Sequence, residues 1–218
     1  MASALWLSQA CTLPPTPCDL GDLSCKSGTL DLYFLTSVAA TASVTCSNSS
    51  FCYTFFSDNL GAGYDGNLGG VSGADAKCAA TKPAGLPGIG SDYKALIGVT
   101  NGQRHPSPAI DWVFRANKDY RRQDGTQIFV TDSAGMFPFP GPTLTNPFFT
   151  AASTVNWTGL ITGSYPWSVA GNCSEFTSTT GTGYAGSNAV NSNAFGGGPY
   201  NCDRTAGVTT YGIICVQQ

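Results

Sequence analysis

The chain has 218 residues, of which 42% are hydrophobic, enough to bury the core of one domain with an extension. Only 11% of the residues are charged and the formal net charge is -3, so the chain as a whole lacks the basic surface that nucleic acid or an anionic membrane would require. It has no run of about eighteen apolar residues, so no membrane-spanning helix is predicted.

The first predicted segment, residues 1–52, is an extension, and its first part, residues 1–31, has clustered prolines and little periodic apolar pattern. Nine cysteines in a chain of this size indicate disulfides and hence a secreted or surface-displayed protein, because disulfides persist in oxidising compartments. His105 is the only histidine and no two cysteines have C-x-x-C spacing. No common zinc ligand set is therefore available, and we expect no bound metal.

An odd number of cysteines leaves one over, and Cys11 is the candidate. It follows residues 5–10, whose apolar and small side chains resemble the end of a lipoprotein signal peptide. Two interpretations remain open: Cys11 is acylated and anchors the protein, or it is a free or intermolecular thiol. For the remaining cysteines of the leader, we expect Cys18 and Cys25 to close a small loop.

Two aromatic, β-prone segments come next, at residues 32–36 and 51–56. The polar residues 47–50, between Cys46 and Cys52, are typical of a turn. We therefore predict a hairpin in this region that is stapled by a disulfide between these two cysteines.

One helix is predicted after a glycine-rich segment. Ser72 and Asp75 have the spacing of a capping box, Ala74 and Cys78 share one face, and Pro83 sets the end of the helix.

Strands are predicted further along the chain at residues 93–99, 127–131 and 211–216. The long polar segments between them, residues 100–126 and 132–210, are expected to be loops organised by disulfides and aromatic residues.

Several ordered motifs resemble those of endostatin and, more closely, of the leptospiral endostatin-like surface proteins. The resemblance covers residues 53–218. The motifs lie at residues 67–78, 84–86, 93–96, 112–114, 120–126, 155–160, 172–173 and 213–216.

This resemblance implies an α+β fold of the C-type-lectin-like, endostatin-like type, loop-rich and disulfide-stapled, with few short helices. It also implies that Cys78 is bridged to Cys215 and Cys173 to Cys202. The implied domain is residues 53–218, and residues 1–52 lie outside it.

The resemblance further implies a lipid-anchored outer-membrane or secreted protein that binds host extracellular matrix, complement regulators or plasminogen. We therefore expect an adhesin or immune-evasion protein, not an enzyme. Two alternatives stay open: a calcium-independent carbohydrate-binding module, and a structural or assembly protein of the cell envelope.

Other patterns in the sequence do not indicate a catalytic, cofactor or metal site. The string Gly61-x-Gly63-x-x-Gly66 lacks the βαβ context of a dinucleotide site, and His105 lies in a predicted turn. Glu175 is the sole glutamate, so paired-carboxylate hydrolysis is unsupported. The oxygen-bearing residues of the glycine-rich segment do not have EF-hand spacing; they are Asp58, Asn59, Asp65 and Asn67.

Basic residues concentrate between positions 104 and 122. Arg115, Lys118, Arg121 and Arg122 are the candidates for binding an acidic partner through charge-assisted hydrogen bonds. The alternative interpretation is a solvated loop with intramolecular ion pairs.

Aromatic residues are expected to serve mainly the core, and this is our prediction for Trp112, Trp157 and Trp167. The segments 137–140 and 147–149 are the exception, because this phenylalanine- and proline-rich stretch would mark an interface if it is exposed.

Overall fold

Ten strands form two sheets in the part of the chain that the computed structural model describes, residues 45–151, 154–203 and 210–218. The larger sheet contains β1 (Phe51–Ser57), β2 (Tyr93–Ala95), β3 (Asp119–Arg122), β4 (Gln127–Val130), β5 (Thr154–Trp157), β8 (Thr182–Ser187), β9 (Gly198–Asn201) and β10 (Thr210–Gln217). The smaller sheet contains β6 (Leu160–Ile161) and β7 (Ser168–Val169).

The larger sheet is mixed, with strand order β4-β3-β1-β10-β5-β8-β9, and β2 pairs with β10 off this path. β1 is antiparallel to β10 and parallel to β3, and β10 is parallel to β5. The last strand is therefore central, and residues Gly212–Gln217 are all buried because both of its faces are covered.

The two faces of the sheet carry separate cores, since successive side chains of a strand point in opposite directions. The helix face contains Phe55, Tyr93, Trp157 and Cys215, with residues of the main helix packed on them. The loop face contains Cys52, Tyr120, Phe129, Phe195 and Ile214, and long loops cover it.

Among the described residues, the sheets are accompanied by one long helix, α1 (Gly70–Thr81), and two single turns, α2 (Cys173–Phe176) and α3 (Asn193–Gly196); all four residues of α2 have positive φ, so this turn is left-handed. Two short 3-10 turns cover Cys46–Asn48 and Gly90–Asp92.

The main helix confirms one sequence prediction and corrects another. α1 ends at Thr81, before Pro83 as expected, and it buries Ala74 and Cys78. The predicted cap at Ser72 is wrong, because the N-cap is Gly69, three residues earlier, with a φ of 82°.

The helix therefore starts without a side-chain cap, which frees the carboxylate of Asp75 from the predicted capping box. That carboxylate instead accepts a hydrogen bond from the backbone N–H of Ala95, 2.8 Å away.

The phenylalanine-rich stretch is buried, so the exposure that would have marked it as an interface is not found. Phe137, Phe139, Phe148 and Phe149 are all below 9% exposed. Two of them pack on Phe195, whose ring centroid lies 5.1 Å from that of Phe148 and 5.8 Å from that of Phe139. Trp112, Trp157 and Trp167 are also in the core, as predicted.

Three disulfides join the described elements: Cys46–Cys52, Cys78–Cys215 and Cys173–Cys202. Each is a pair that the sequence analysis expected. The second links α1 to β10 across 137 positions, and the third links α2 to the segment after β9. Cys11 and the pair Cys18 with Cys25 lie outside the described residues, as does the strand predicted at residues 32–36.

The described residues belong to one compact unit, and residue 52, after which a domain boundary is expected, lies inside β1. The described strand partners of β1 are β3 and β10, both far away in sequence. The architecture is α+β, mostly sheet, with few short helices and disulfides. No described helix has the length and apolar character needed to cross a membrane.

Candidate functional site

The four basic residues predicted to bind a partner do not form one patch. Arg115 is exposed, and no ion pair in the described residues involves it. The Nζ of Lys118 donates to the carbonyl oxygens of Ser49 at 2.6 Å and Ser47 at 3.4 Å, so this lysine ties the turn before β1 to β3.

Arg121 lies on the helix face. Its guanidinium carbon is 4.4 Å from the ring centroid of Phe51, and its Nε and Nη2 donate to the carboxylate of Asp119 at 2.9 and 2.7 Å. Tyr53 is its register neighbour on β1.

This corner of the helix face is partly open to solvent. We call it the open sheet face, and define it by Phe51, Tyr53, Asp119, Arg121 and Val130. The first four are half-buried and Val130 is 50% exposed. It therefore presents aromatic rings and an arginine from neighbouring paired strands of the larger sheet.

A cleft adjoins the open sheet face, between the start of β1 and the turn at residues 85–87. We call it the β1 cleft; its volume is about 450 Å³. Its walls are formed by Ser49, Ser50, Phe51, Tyr53, Gly85, Leu86 and Pro87. We call the apolar side chains of Phe51, Tyr53, Leu86 and Pro87 its floor; Ser49 and Ser50 add hydroxyl groups, so the lining is both apolar and polar.

Arg122 lies on the opposite face, in a second cleft of about 480 Å³ that also contains Phe56 and Phe149. Its Nη2 is 3.1 Å from Asp124, which forms an ion pair with it. Hydrogen bonds from the backbone N–H and side chain of Thr126, with a smaller contribution from Arg122, lower the pKa of Asp124 to about 2.

Arg104 is buried, although it is the first of the basic residues that concentrate between positions 104 and 122. Its side chain is fully buried and donates to Asp75 at 2.7 and 2.8 Å, to Asp111 at 2.5 Å and to the carbonyl of Ala95 at 2.9 Å. Burial alone would lower the pKa of the guanidinium, but the two carboxylates outweigh this effect and raise it.

The Arg104 network connects α1, β2 and the loop that follows β2. Asp111 also pairs with Lys94, which is half-buried. Burial opposes ionisation of Asp111, but hydrogen bonds from Lys94 and Arg104 prevail and lower its pKa. This network is structural, and nothing in the local sequence distinguishes Arg104 from a solvated arginine.

The side chains of the oxygen-bearing loop residues form hydrogen bonds with nearby backbone groups. Asp65 accepts a hydrogen bond from the N–H of Asn67, and the side chain of Asn67 accepts one from Gly69. Asn59 donates to the carbonyl of Gly63. Within residues 45–151, 154–203 and 210–218, no group of three His, Cys, Asp or Glu residues is arranged to hold a metal ion.

His105 and Glu175 also have local partners. The Nδ1 of His105 accepts a hydrogen bond from the N–H of Ser107. The carboxylate of Glu175 accepts hydrogen bonds from the backbone N–H and hydroxyl of Thr100 and from the amide of Asn172. Glu175 therefore fixes α2 against the loop after β2.

Fold and site together define a disulfide-stapled α+β domain with an aromatic and arginine-bearing sheet face. A family model described as "Protein of unknown function (DUF1554)" matches residues 61–193, more than half of the chain, and the protein belongs to this family. No curated protein matches the chain. The matched range contains α1 and Arg121, whereas Phe51 and Tyr53 precede it.

Proposed function

We propose that the protein is a secreted or outer-membrane binding protein, an adhesin or immune-evasion protein that contacts host extracellular matrix, complement regulators or plasminogen. In this proposal it is not an enzyme. Its support is the motif resemblance to leptospiral endostatin-like surface proteins, together with a disulfide-rich domain suited to an oxidising compartment.

The same proposal assigns the domain to the C-type-lectin-like fold in its endostatin-like form. The disulfides Cys78–Cys215 and Cys173–Cys202 are the pairs that this resemblance implies. The long loops over one face of a mixed sheet also suit the assignment. In native protein, acylation of Cys11 would supply the anchor, and mass spectrometry of the N-terminal peptide tests it.

One observation carries the binding proposal: the stack of Arg121 on Phe51, next to Tyr53, on a partly open sheet face. Tyrosine, phenylalanine and arginine are enriched at protein interfaces, and tyrosine and arginine often contribute most of the binding energy. A rigid strand framework lowers the entropy cost of presenting these side chains to a partner.

The direct test is a surface plasmon resonance screen of the full chain against matrix proteins, complement regulators and plasminogen. We expect saturable binding to at least one, with and without chelator. If none of these proteins binds and the purified protein is folded, the structural or assembly role in the cell envelope becomes the better account.

A carbohydrate-binding module is the second candidate, favoured by a second group of rings on the helix face. Tyr211 stacks on the buried Trp157 at 5.0 Å, and Tyr200 meets Tyr211 edge-on at 5.7 Å. Both tyrosines are half-buried, so part of each ring faces solvent. A glycan array with chelator present tests this candidate: glycan binding lost in Tyr211→Ala would support it over the protein-binding proposal.

A further inference from the structure

Three of the ten basic residues of this acidic protein adjoin the β1 cleft. Lys82 donates to the carbonyl of Leu86, Lys118 donates to that of Ser49, and Arg121 covers the ring of Phe51. We infer that this cleft binds an acidic segment of a protein partner, with carboxylates that flank an apolar or aromatic side chain. The inference rests on the proposed function and specifies which surface and which partner chemistry that function uses.

The three cations retain donors for such a segment. An ammonium group has three N–H donors, and Lys82 and Lys118 each use two on backbone carbonyls, which leaves one. Arg121 has five, and its bonds to Asp119 involve only Nε and Nη2. Carboxylates can therefore bind without breaking the contacts that hold the cations in place.

The charge balance around the cleft favours an anion. Asp119 pairs with Arg121, and the carboxylate of Asp92 lies beside the turn at residues 85–87, where it accepts a hydrogen bond from the backbone N–H of Ile89. No carboxylate in the described part of the chain forms an ion pair with Lys82 or Lys118, so the three cations exceed the two nearby carboxylates. A local excess of positive charge on an otherwise acidic protein attracts acidic segments and orients them as they approach.

The cleft floor specifies the rest of the ligand. Phe51, Tyr53, Leu86 and Pro87 present apolar surface, and Gly85 contributes no side chain. A carboxylate-rich segment with one aromatic residue would place that ring on the floor while its acidic groups meet the cations at the rim. A uniformly acidic polymer would leave the floor unfilled.

The test uses the full chain and three labelled probes in fluorescence anisotropy. The first is a twelve-residue peptide of alternating Glu and Ser with a central Tyr, the second replaces every Glu with Gln, and the third is a heparin oligosaccharide. We expect the Glu peptide to bind and the Gln peptide to bind at least about tenfold more weakly. Binding should weaken as salt shortens the Debye length from about 10 Å at 0.1 M to about 3 Å at 1 M.

Single substitutions locate the site. Lys82→Gln, Lys118→Gln and Arg121→Gln should each weaken the Glu peptide about two- to fivefold, because each exposed ion pair contributes modestly. Arg115→Gln is the matched control, since this exposed arginine does not line the cleft, and it should leave affinity unchanged. Because Lys118→Gln could shift the turn before β1, NMR shift mapping on wild-type protein provides a second readout, with changes expected at residues 49–53 and 85–87.

Three results would overturn the inference. The first is equal binding of the Glu and Gln peptides, and the second is affinity that is indifferent to all three cleft substitutions. The third is binding of heparin alone through these residues, which would make the cleft a sulfated-glycan site. If a host protein binds wild type and all cleft variants equally, the proposed function survives and this inference fails. If the Glu peptide maps to the cleft but no host protein binds, this inference survives and the proposed function fails.

Discussion

Arg121 and Arg122 are consecutive residues of β3, and their guanidinium groups lie on opposite faces of the sheet. Arg121 covers Phe51 on the helix face, and Arg122 lines the cleft with Phe56 and Phe149 on the loop face. Each pairs with an aspartate two positions away, Asp119 and Asp124. A double substitution would therefore change two separate surfaces, whereas single substitutions distinguish them.

The buried Arg104 should be essential for stability. In Arg104→Met, Asp75 loses the cation that neutralises it, Asp111 keeps only Lys94, and the carbonyl of Ala95 loses its donor. Breaking a buried ion pair by removing one partner costs about 3–5 kcal/mol, and because both carboxylates are partly exposed we expect about 2–4 kcal/mol. Urea unfolding measures the loss, with Arg115→Met as the surface control. A change below about 0.5 kcal/mol would show that the network contributes little.

The disulfide Cys78–Cys215 should stabilise the fold more than Cys173–Cys202, because it closes the longer loop. The bridged residues are 137 and 29 positions apart. The loss of chain entropy in the unfolded state then predicts how far the free energy of unfolding falls when each pair is replaced by alanines: about 5 kcal/mol for Cys78–Cys215 and about 3.5 kcal/mol for Cys173–Cys202. Denaturant unfolding of the two double variants checks the order. An equal or reversed order would mean that packing around the bridges, and not loop length, determines their effect.

Gly66 should not tolerate a side chain. A Cβ at this position would lie 2.4 Å from the Sγ of Cys173 and 2.8 Å from the Cβ of Cys202. We expect Gly66→Ala to lower the free energy of unfolding by about 1–3 kcal/mol, since overpacking forces neighbouring atoms to shift. Gly163→Ala is the control, because open space surrounds that position. Two thermal melts suffice, and equal melting temperatures would contradict the packing described for Gly66.

Stability should fall in acid. The pKa of Asp111 is lowered from 3.8, and that of Asp124 is about 2. Both carboxylates bind protons more readily in the unfolded chain, so their contribution is present above pH 3.8 and is lost as the pH falls towards about 2. Urea unfolding at several pH values measures this, and Asp111→Asn should flatten the slope. Stability that is constant or rises over this window would be inconsistent with these shifts.

The disulfide-linked parts of the fold could be predicted from the sequence. A short run of β-branched and other apolar residues predicts β10, and aromatic residues predict β1. One of the two described partners of β1 could not be predicted, because this partner, β3, pairs in parallel, begins 68 positions later at Asp119 and is short and polar. Such pairing depends on the whole sheet and not on local pattern.

β8 was missed for a different reason. Its sequence, Thr182–Ser187, lacks apolar alternation because two glycines occupy the positions that face close neighbours. A Cβ at Gly183 would meet the Sγ of Cys173, and one at Gly186 would meet the carbonyl of Ala194. The strand is buried because backbone atoms and a disulfide pack closely against its glycines. A search for hydrophobic periodicity cannot detect this kind of burial.

The candidate site was only half predictable. The basic segment was identified, but a count of charges along the chain cannot show that Arg104 is buried, or that Arg121 and Arg122 point in opposite directions before β3 is recognised as a strand. A role for Lys82 could not be predicted, because the cleft beside it is formed by residues 49–53 and 85–87, which meet only in the folded protein.

The central claim, that the open sheet face binds a host protein, is tested most directly by surface plasmon resonance. Wild type, Arg121→Ala and Arg122→Ala are compared on whichever matrix protein, complement regulator or plasminogen binds in the screen, after circular dichroism has shown that all three are folded. We predict that Arg121→Ala weakens binding about tenfold or more, as expected for an arginine that contributes at least about 1.4 kcal/mol, while Arg122→Ala binds like wild type. Unchanged binding by Arg121→Ala, or a loss confined to Arg122→Ala, would contradict the claim.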